Sequence, residues 1–222
     1  MRYLDLLTAL FATVLLVSNV ASTKLVVLGP FTFDGGTLLF PLAYIFGDVL
    51  TEVYGYRKSR RVIWIGFFAL LLATLTFQAV AHLPAPPDAE SQRFGEAFGL
   101  LLGLTPRIVL GSLLAYFLGE FANAYVLAKL KVRTEGRFFW LRALASTLVG
   151  QGLDTGVFLL VAFYGVFPKE VLLAVFLSNY AFKLGVEALM LPFTHAVVGF
   201  LKRAEGMDAY DRDTDFNPFR LT

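Results

Sequence analysis

Six ionisable side chains fall inside long apolar stretches of this chain: Asp48, Glu52, Glu120, Asp154, Lys183 and Glu187. In a bilayer each such group at mid-span costs about 2.5–3.5 kcal/mol on insertion scales, so together they represent a penalty on the order of 10 kcal/mol. A chain carries that penalty only where these groups face inward, pair, or bind something. Their spacing supports an inward face, because residues three or four apart share one side of a helix. Asp48 and Glu52 are four apart, Glu120 and Asn123 three apart, and Asn179, Lys183 and Glu187 follow one another at four. Thr147, Gln151, Asp154 and Thr155 form another stripe, and Ser18 and Ser22 share a face with Asn19 and Thr23 beside them. Local neutralisation is the plainer alternative. Lys183 can pair with Glu187 on its own helix or with an acid on another, and Glu52 can pair with Arg57 or Lys58.

The chemistry that suits such a set is recognition of a polar, planar ligand. A carboxylate accepts two N–H bonds from an amidine-like edge such as a guanine-type base offers. Asn and Gln amides read a carbonyl and a ring nitrogen together. Tyr44, Phe46, Tyr116 and Tyr180 are candidates to stack on a ring. The sequence has no phosphate-cradling nucleotide loop and no serine–histidine nucleophile arrangement, so an enzyme is not expected. An intramembrane aspartyl protease would need paired aspartates, but Phe46-Gly47-Asp48 and Gly152-Leu153-Asp154 are only loosely similar to the motifs of that class. Cysteine is absent, which excludes disulfides and thiolate chemistry, and two distant histidines make a zinc site a poor expectation. No metal or cofactor is expected, nor a nucleic-acid partner.

The elements that must position these residues are membrane helices. The chain has 222 residues, 57% hydrophobic and only 16% charged; its mean hydropathy is +0.68. A soluble domain carries about 25% charged residues. Spans of about 20 apolar residues are expected at Leu4–Val27, Gly36–Tyr56, Val62–Leu83, Pro106–Leu130, Ala143–Phe167 and Val171–Leu201. The first is read as a retained helix, not a cleaved leader, since it carries Ser18, Asn19 and Lys24 and lacks a small-residue cleavage site. This gives an all-α integral membrane domain over 1–203 and a polar tail over 204–222, expected to be solvated and partly disordered.

Arg57, Lys58, Arg60 and Arg61 follow span two, Lys129 to Arg142 separate spans four and five, and Lys202 and Arg203 follow span six. The positive-inside rule then places both termini in the cytoplasm of a multi-pass inner-membrane protein. Asp48 precedes the basic run at Arg57 by the interval that separates Glu120 from Lys129, and both acids follow a glycine, so the two should lie level, about 13 Å from the basic edge. The longest external connection, 84–104, opens with Pro84-Ala85-Pro86-Pro87 and continues into a short amphipathic helix that is either a surface segment or a lid.

The run Gly47-Asp48-Val49-Leu50-Thr51-Glu52-Val53-Tyr54-Gly55-Tyr56 resembles the signature of the queuosine precursor transporter family, vitamin-uptake-transporter-like membrane proteins. The likeness continues through Leu104-Thr105-Pro106-Arg107-Ile108, Gly119-Glu120-Phe121-Ala122-Asn123, Ser146 to Asp154, and Asn179-Tyr180-Ala181-Phe182-Lys183; Ser18-Asn19 with Lys24 fits its first helix. The resemblance implies import of a 7-deazaguanine (7-cyano-7-deazaguanine, its aminomethyl relative, or queuine) for queuosine modification of tRNA. It also implies a six-helix fold like the substrate-binding subunits of energy-coupling-factor vitamin importers. Those subunits often place small residues four apart on the first helix to dock an ATP-driven partner. Here Ala9 and Ala12 are three apart, so solitary function is expected, with a homodimer left open. The substrate-binding set is then Asn19, Asp48, Glu52, Glu120, Asn123, Gln151, Asp154, Asn179 and Lys183. The competing readings are a binding subunit of an ATP-driven importer and a non-transporting membrane scaffold.

Overall fold

The structure, a computed structural model, describes residues 1–28, 31–104 and 106–220. Thr105 of the Leu104–Ile108 motif and the last two residues of the tail lie outside these. The described residues form seven α-helices: α1 (Leu4–Ala21), α2 (Phe40–Tyr54), α3 (Tyr56–Ala81), α4 (Ala89–Leu102), α5 (Pro106–Arg133), α6 (Phe139–Phe163) and α7 (Lys169–Glu205). Five of them, α1, α3, α5, α6 and α7, are long and apolar enough to cross a membrane.

The second expected span differs from its reading. The stretch before it does not join a helix; β1 (Leu25–Leu28) and β2 (Phe31–Asp34) pair as an antiparallel hairpin, with Leu25 opposite Asp34. A short 3₁₀ turn, Gly35–Leu38, follows. Gly35 and Gly36 are poor helix residues and Val26 and Val27 favour extended backbone, so α1 stops at Ala21 and α2 begins only at Phe40. The 15-residue α2 is about 22 Å long at 1.5 Å per residue, short of a bilayer core of about 30 Å. A single residue, Gly55, joins α2 to α3; its φ of 82° lies in the left-handed region that glycine enters without steric cost.

α5 and α6 pack most closely of all the helices, because glycines face each other there. A Cβ on Gly119 would stand 3.0 Å from the Gly150 carbonyl, and one on Gly150 would stand 2.8 Å from the Asn123 Cβ. Small residues of this kind let membrane helices approach where apolar burial gives no drive of its own. Each of α5 and α7 contacts both α2 and α6, so α2, α5, α6 and α7 form a ring, with α1 and α3 packed on its α2–α5 side. α4 is amphipathic as expected; the Asp88 side chain caps it by accepting the Ser91 N–H at 2.8 Å.

The start of α1 and the end of α7 meet at one end of the bundle, where Glu205 accepts the Arg2 and Tyr3 N–H groups at 2.8 and 2.7 Å. At that same end the tail is docked, in contrast to the solvated segment its acidic composition suggested. Asp211 accepts the Tyr56 N–H at 2.9 Å. Arg60, buried on α3, donates to the carbonyls of Asp215 and Asn217 at 2.8 and 2.7 Å. The Trp64 indole donates to the Pro218 carbonyl at 2.8 Å, and Phe216 packs on Tyr56 with ring centroids 4.8 Å apart. The tail supplies the carbonyls and aromatic surface that the first turns of α3 would otherwise lack.

Candidate functional site

A cavity of about 420 Å³ opens between α1, α5, α6 and α7 at the end where α1 finishes and α5 begins. That volume falls within the range of small-molecule sites, about 300–1,000 Å³. Each helix turns a polar stripe into it. α1 supplies Ser18 and Asn19 and the turn after it Ser22 and Thr23; α5 supplies Ser112, Tyr116 and Glu120; α6 supplies Asp154 and Thr155; α7 supplies Asn179 and Lys183. Tyr44 of α2 closes the floor, and Ile108 of α5, Phe158, Leu159 and Phe163 of α6 and Val175 of α7, with Leu15 and Leu70, complete an apolar wall. The geometry thus gathers Asn19, Glu120, Asp154, Asn179 and Lys183 into the lining of one cavity. Of the aromatic candidates, Tyr44 and Tyr116 line the cavity, whereas Phe46 and Tyr180 do not. The 84–104 segment borders it only through Leu104; α4 itself does not line it.

Several of these groups are held in place. Lys183 donates to Asp154 Oδ2 at 3.1 Å and to Thr155 Oγ1 at 3.4 Å, an α7–α6 link and not the Glu187 pair its own helix offers. The buried Tyr116 hydroxyl donates to the Ile63 carbonyl at 2.9 Å, which fixes its ring. Glu120 is buried, with its Oε2 only 3.1 Å from where a Cβ on Gly47 would stand. The glycine is what lets α2 pass beside that carboxylate.

The other expected site residues stand elsewhere. Asp48, Asn123 and Gln151 are buried in the ring beneath the cavity and do not line it. Asn123 Nδ2 donates to Asp48 Oδ1 at 2.9 Å, linking α5 to α2. Glu52 lies farther still, at the tail end of the ring, where it is tied off by three cations. Arg142 donates to both its oxygens, at 2.5 and 3.2 Å, and Lys202 to Oε1 at 2.7 Å. Lys131 approaches Oε1 to 3.5 Å and donates to the Glu52 carbonyl at 2.5 Å. Asp208 of the tail pairs with both lysines. The sequence offered Arg57 and Lys58 as partners, yet the chain turns at Gly55 and carries them away. Arg142 was counted among loop charges because span five was started at Ala143. Its helical interval of four from Ser146, which continues to Gly150, is the signal that places it on the inward face.

Among the described residues no three His, Cys, Asp or Glu side chains gather as a metal cluster. What the cavity offers is a mixed set of two carboxylates, two amides, hydroxyls and one ammonium paired with the Asp154 carboxylate, with aromatic rings at hand.

Five membrane-length helices around a polar, ligand-sized cavity define a multi-pass membrane protein with an internal polar cavity. A family model described as "Putative vitamin uptake transporter" matches residues 34–197, and the chain belongs to that family. It is similar to the "Probable queuosine precursor transporter" of Bacillus subtilis, 36% identical over 188 residues, covering 84% of this chain and 80% of the relative. The "Queuosine precursor transporter" of Escherichia coli is 28% identical over 153 residues, covering 67% of this chain and 64% of the relative. The Haemophilus influenzae protein named "Probable queuosine precursor transporter" is 25% identical over 166 residues, covering 73% and 67%. No solved structure matches the chain.

Proposed function

We propose that this chain imports a queuosine precursor, a 7-deazaguanine, across the inner membrane, and that the α1–α5–α6–α7 cavity binds it. The observation that carries this reading is the cavity itself, which is lined by Asn19, Glu120, Asp154, Asn179 and Lys183, in a chain whose relatives bear that transporter name. A deazaguanine presents two adjacent N–H donors on its pyrimidine edge, and a carboxylate accepts both; Glu120 takes this role. The neighbouring ring carbonyl meets an ammonium, which Asp154 orients on Lys183. Asn19 and Asn179, on opposite helices, bond the remaining ring and substituent atoms. Tyr44 and Tyr116 pack on the ring face.

In this reading α2 is the sixth crossing, reaching the bilayer edge with the help of the hairpin and 3₁₀ turn before it. Both termini lie in the cytoplasm, so the cavity opens outward and the Glu52 ion cluster closes the inner end. The arrangement is of the kind found in substrate-binding subunits of vitamin importers, acting here without an ATP-driven partner. The test is restoration of tRNA queuosine in a strain unable to make the precursor, supplied with each 7-deazaguanine in turn. The wild-type chain restores the modification and Glu120→Gln does not; restoration by Glu120→Gln at wild-type level would remove the cavity from the reading.

A further inference from the structure

Beneath the cavity, the ring of α2, α5, α6 and α7 encloses a second polar group that the deazaguanine does not reach. Asp48, Asn123, Thr147, Gln151 and Glu187 are each at most 2% exposed. One oxygen from each, Asp48 Oδ2, Asn123 Oδ1, Thr147 Oγ1, Gln151 Oε1 and Glu187 Oε1, has no hydrogen-bond partner among the described residues. All four helices of the ring contribute. Asp48 is bonded to Asn123 and stands within electrostatic reach of Glu187. Asn123 packs against Gly150, the residue before Gln151, and Thr147 lies one turn from Gln151 on the same face of α6.

A buried oxygen with no donor costs the full desolvation of that group, about 1–3 kcal/mol each and more for a carboxylate. Five such oxygens, drawn from all four helices of one ring, point to an occupant among them. One proton shared between Asp48 and Glu187 supplies a single hydrogen bond and leaves the two amide carbonyls and the threonine unmet. A cation is the kind of occupant that carboxylate, amide and hydroxyl oxygens can all ligate. The donors are all oxygen, so the occupant is a hard ion and not a transition metal, which would draw nitrogen or sulfur ligands. Asp48 Oδ1 accepts from the Asn123 amide, which leaves Oδ2 as the unengaged oxygen of that carboxylate. Five oxygens fall short of the roughly six to eight that calcium takes, and magnesium keeps several of its waters.

We propose that Asp48, Asn123, Thr147, Gln151 and Glu187 form a sodium site. It lies one helical turn below the Asp154–Lys183 pair, since Gln151 precedes Asp154 by three residues and Glu187 follows Lys183 by four. Ion and substrate therefore occupy adjoining layers of the same helices, the arrangement expected of a sodium-coupled carrier.

The test is thermal unfolding of the purified full chain in sodium chloride against choline, potassium or calcium chloride at constant ionic strength, with no substrate present. Sodium raises the midpoint by roughly 5 °C and saturably, as a ligand of the folded state does, while choline and potassium leave it unchanged. Glu187→Gln and the milder Thr147→Val lose that increment, and Asn179→Ala, in the cavity wall, keeps it. Equal midpoints for wild-type chain in sodium and choline would overturn the site, and a rise matched by potassium or calcium would overturn its assignment to sodium. The wild-type salt series decides even where a variant fails to fold. Because no deazaguanine enters the measurement, its failure leaves the import reading standing, and the reverse.

Discussion

Lys183 of α7 reaches across to Asp154 of α6 at 3.1 Å, and both side chains are about one-seventh exposed, at 15% and 14%. The pair therefore stands in the cavity wall, wet enough to meet a ligand and dry enough to matter. Asp154→Asn leaves the ammonium without its carboxylate, and uptake of the deazaguanine should fall about ten- to a hundredfold. The double variant Asp154→Asn, Lys183→Met separates the roles. Its melting temperature should recover toward wild type while uptake stays lost; recovery of both would make the pair a structural tie alone.

Glu52 and Arg142 make the most buried ion pair, each side chain 1% exposed. Removing one partner of a buried pair costs about 3–5 kcal/mol because the other charge is left stranded. Glu52→Met strands the Arg142 guanidinium, which has no other acid partner among the described residues, and should therefore lower the melting temperature by about 10 °C. Arg57→Ala and Lys58→Ala, the partners suggested by sequence proximity, should leave it unchanged. A thermal melt of the three variants in detergent decides.

Gly66 of α3 holds space for the cavity floor. A Cβ there would stand 2.4 Å from the Tyr116 hydroxyl and 2.8 Å from Leu15 Cδ1. Gly66→Ala must displace Tyr116 from its bond to Ile63, and overpacking of this kind costs about 1–3 kcal/mol. Binding should weaken more than stability, since Tyr116 and Leu15 both line the cavity. Equilibrium binding of a deazaguanine to the purified variant, set beside its melt, measures the two.

Docking of the tail should depend on pH. Burial pushes the Asp208 carboxyl up, but the hydrogen bonds from Lys131 and Lys202 outweigh it and hold the group below its ordinary value. The Asn217 N–H and the Arg220 guanidinium do the same for Asp215. A folded-state value below the unfolded one gives stability that is present above the unfolded value, about 3.9, and is lost as pH falls through the folded one. The tail should thus stay docked at neutral pH and loosen below roughly pH 4. Trp64 reports it, being bonded to Pro218 and packed on Phe219. In a Trp140→Phe background its emission should shift to the red on acidification, and Asp208→Asn should move that transition to higher pH.

The polar stripes were legible because intervals of three and four survive any change of helix boundary. The equal distance of Asp48 and Glu120 from the basic edge does not put them side by side: Gly47 lies against the Glu120 carboxylate, while Asp48 bonds to Asn123, three residues further along α5. What spacing within a helix cannot give is the pairing between helices. Gly55 turns the chain so that Glu52 meets Arg142, Lys131 and Lys202, residues 79 to 150 positions away. The division of the acids into a cavity wall, a dry layer and an ion cluster likewise depends on how α2 sits against α5 and α7. The tail misled for a related reason. Its side chains are acidic, but its backbone makes most of the contacts, and composition carries no record of carbonyls.

That last point has an evolutionary consequence. Arg60, Trp64 and the Tyr56 hydroxyl all donate to main-chain oxygens of Asp215 to Pro218, which every amino acid possesses. Apart from positions whose side chains are also engaged, such as Asp208, Asp211, Asp215, Phe216 and Phe219, the terminal segment is free to drift in spelling while keeping its path, so relatives with unrelated endings can share the same closure beneath the bundle.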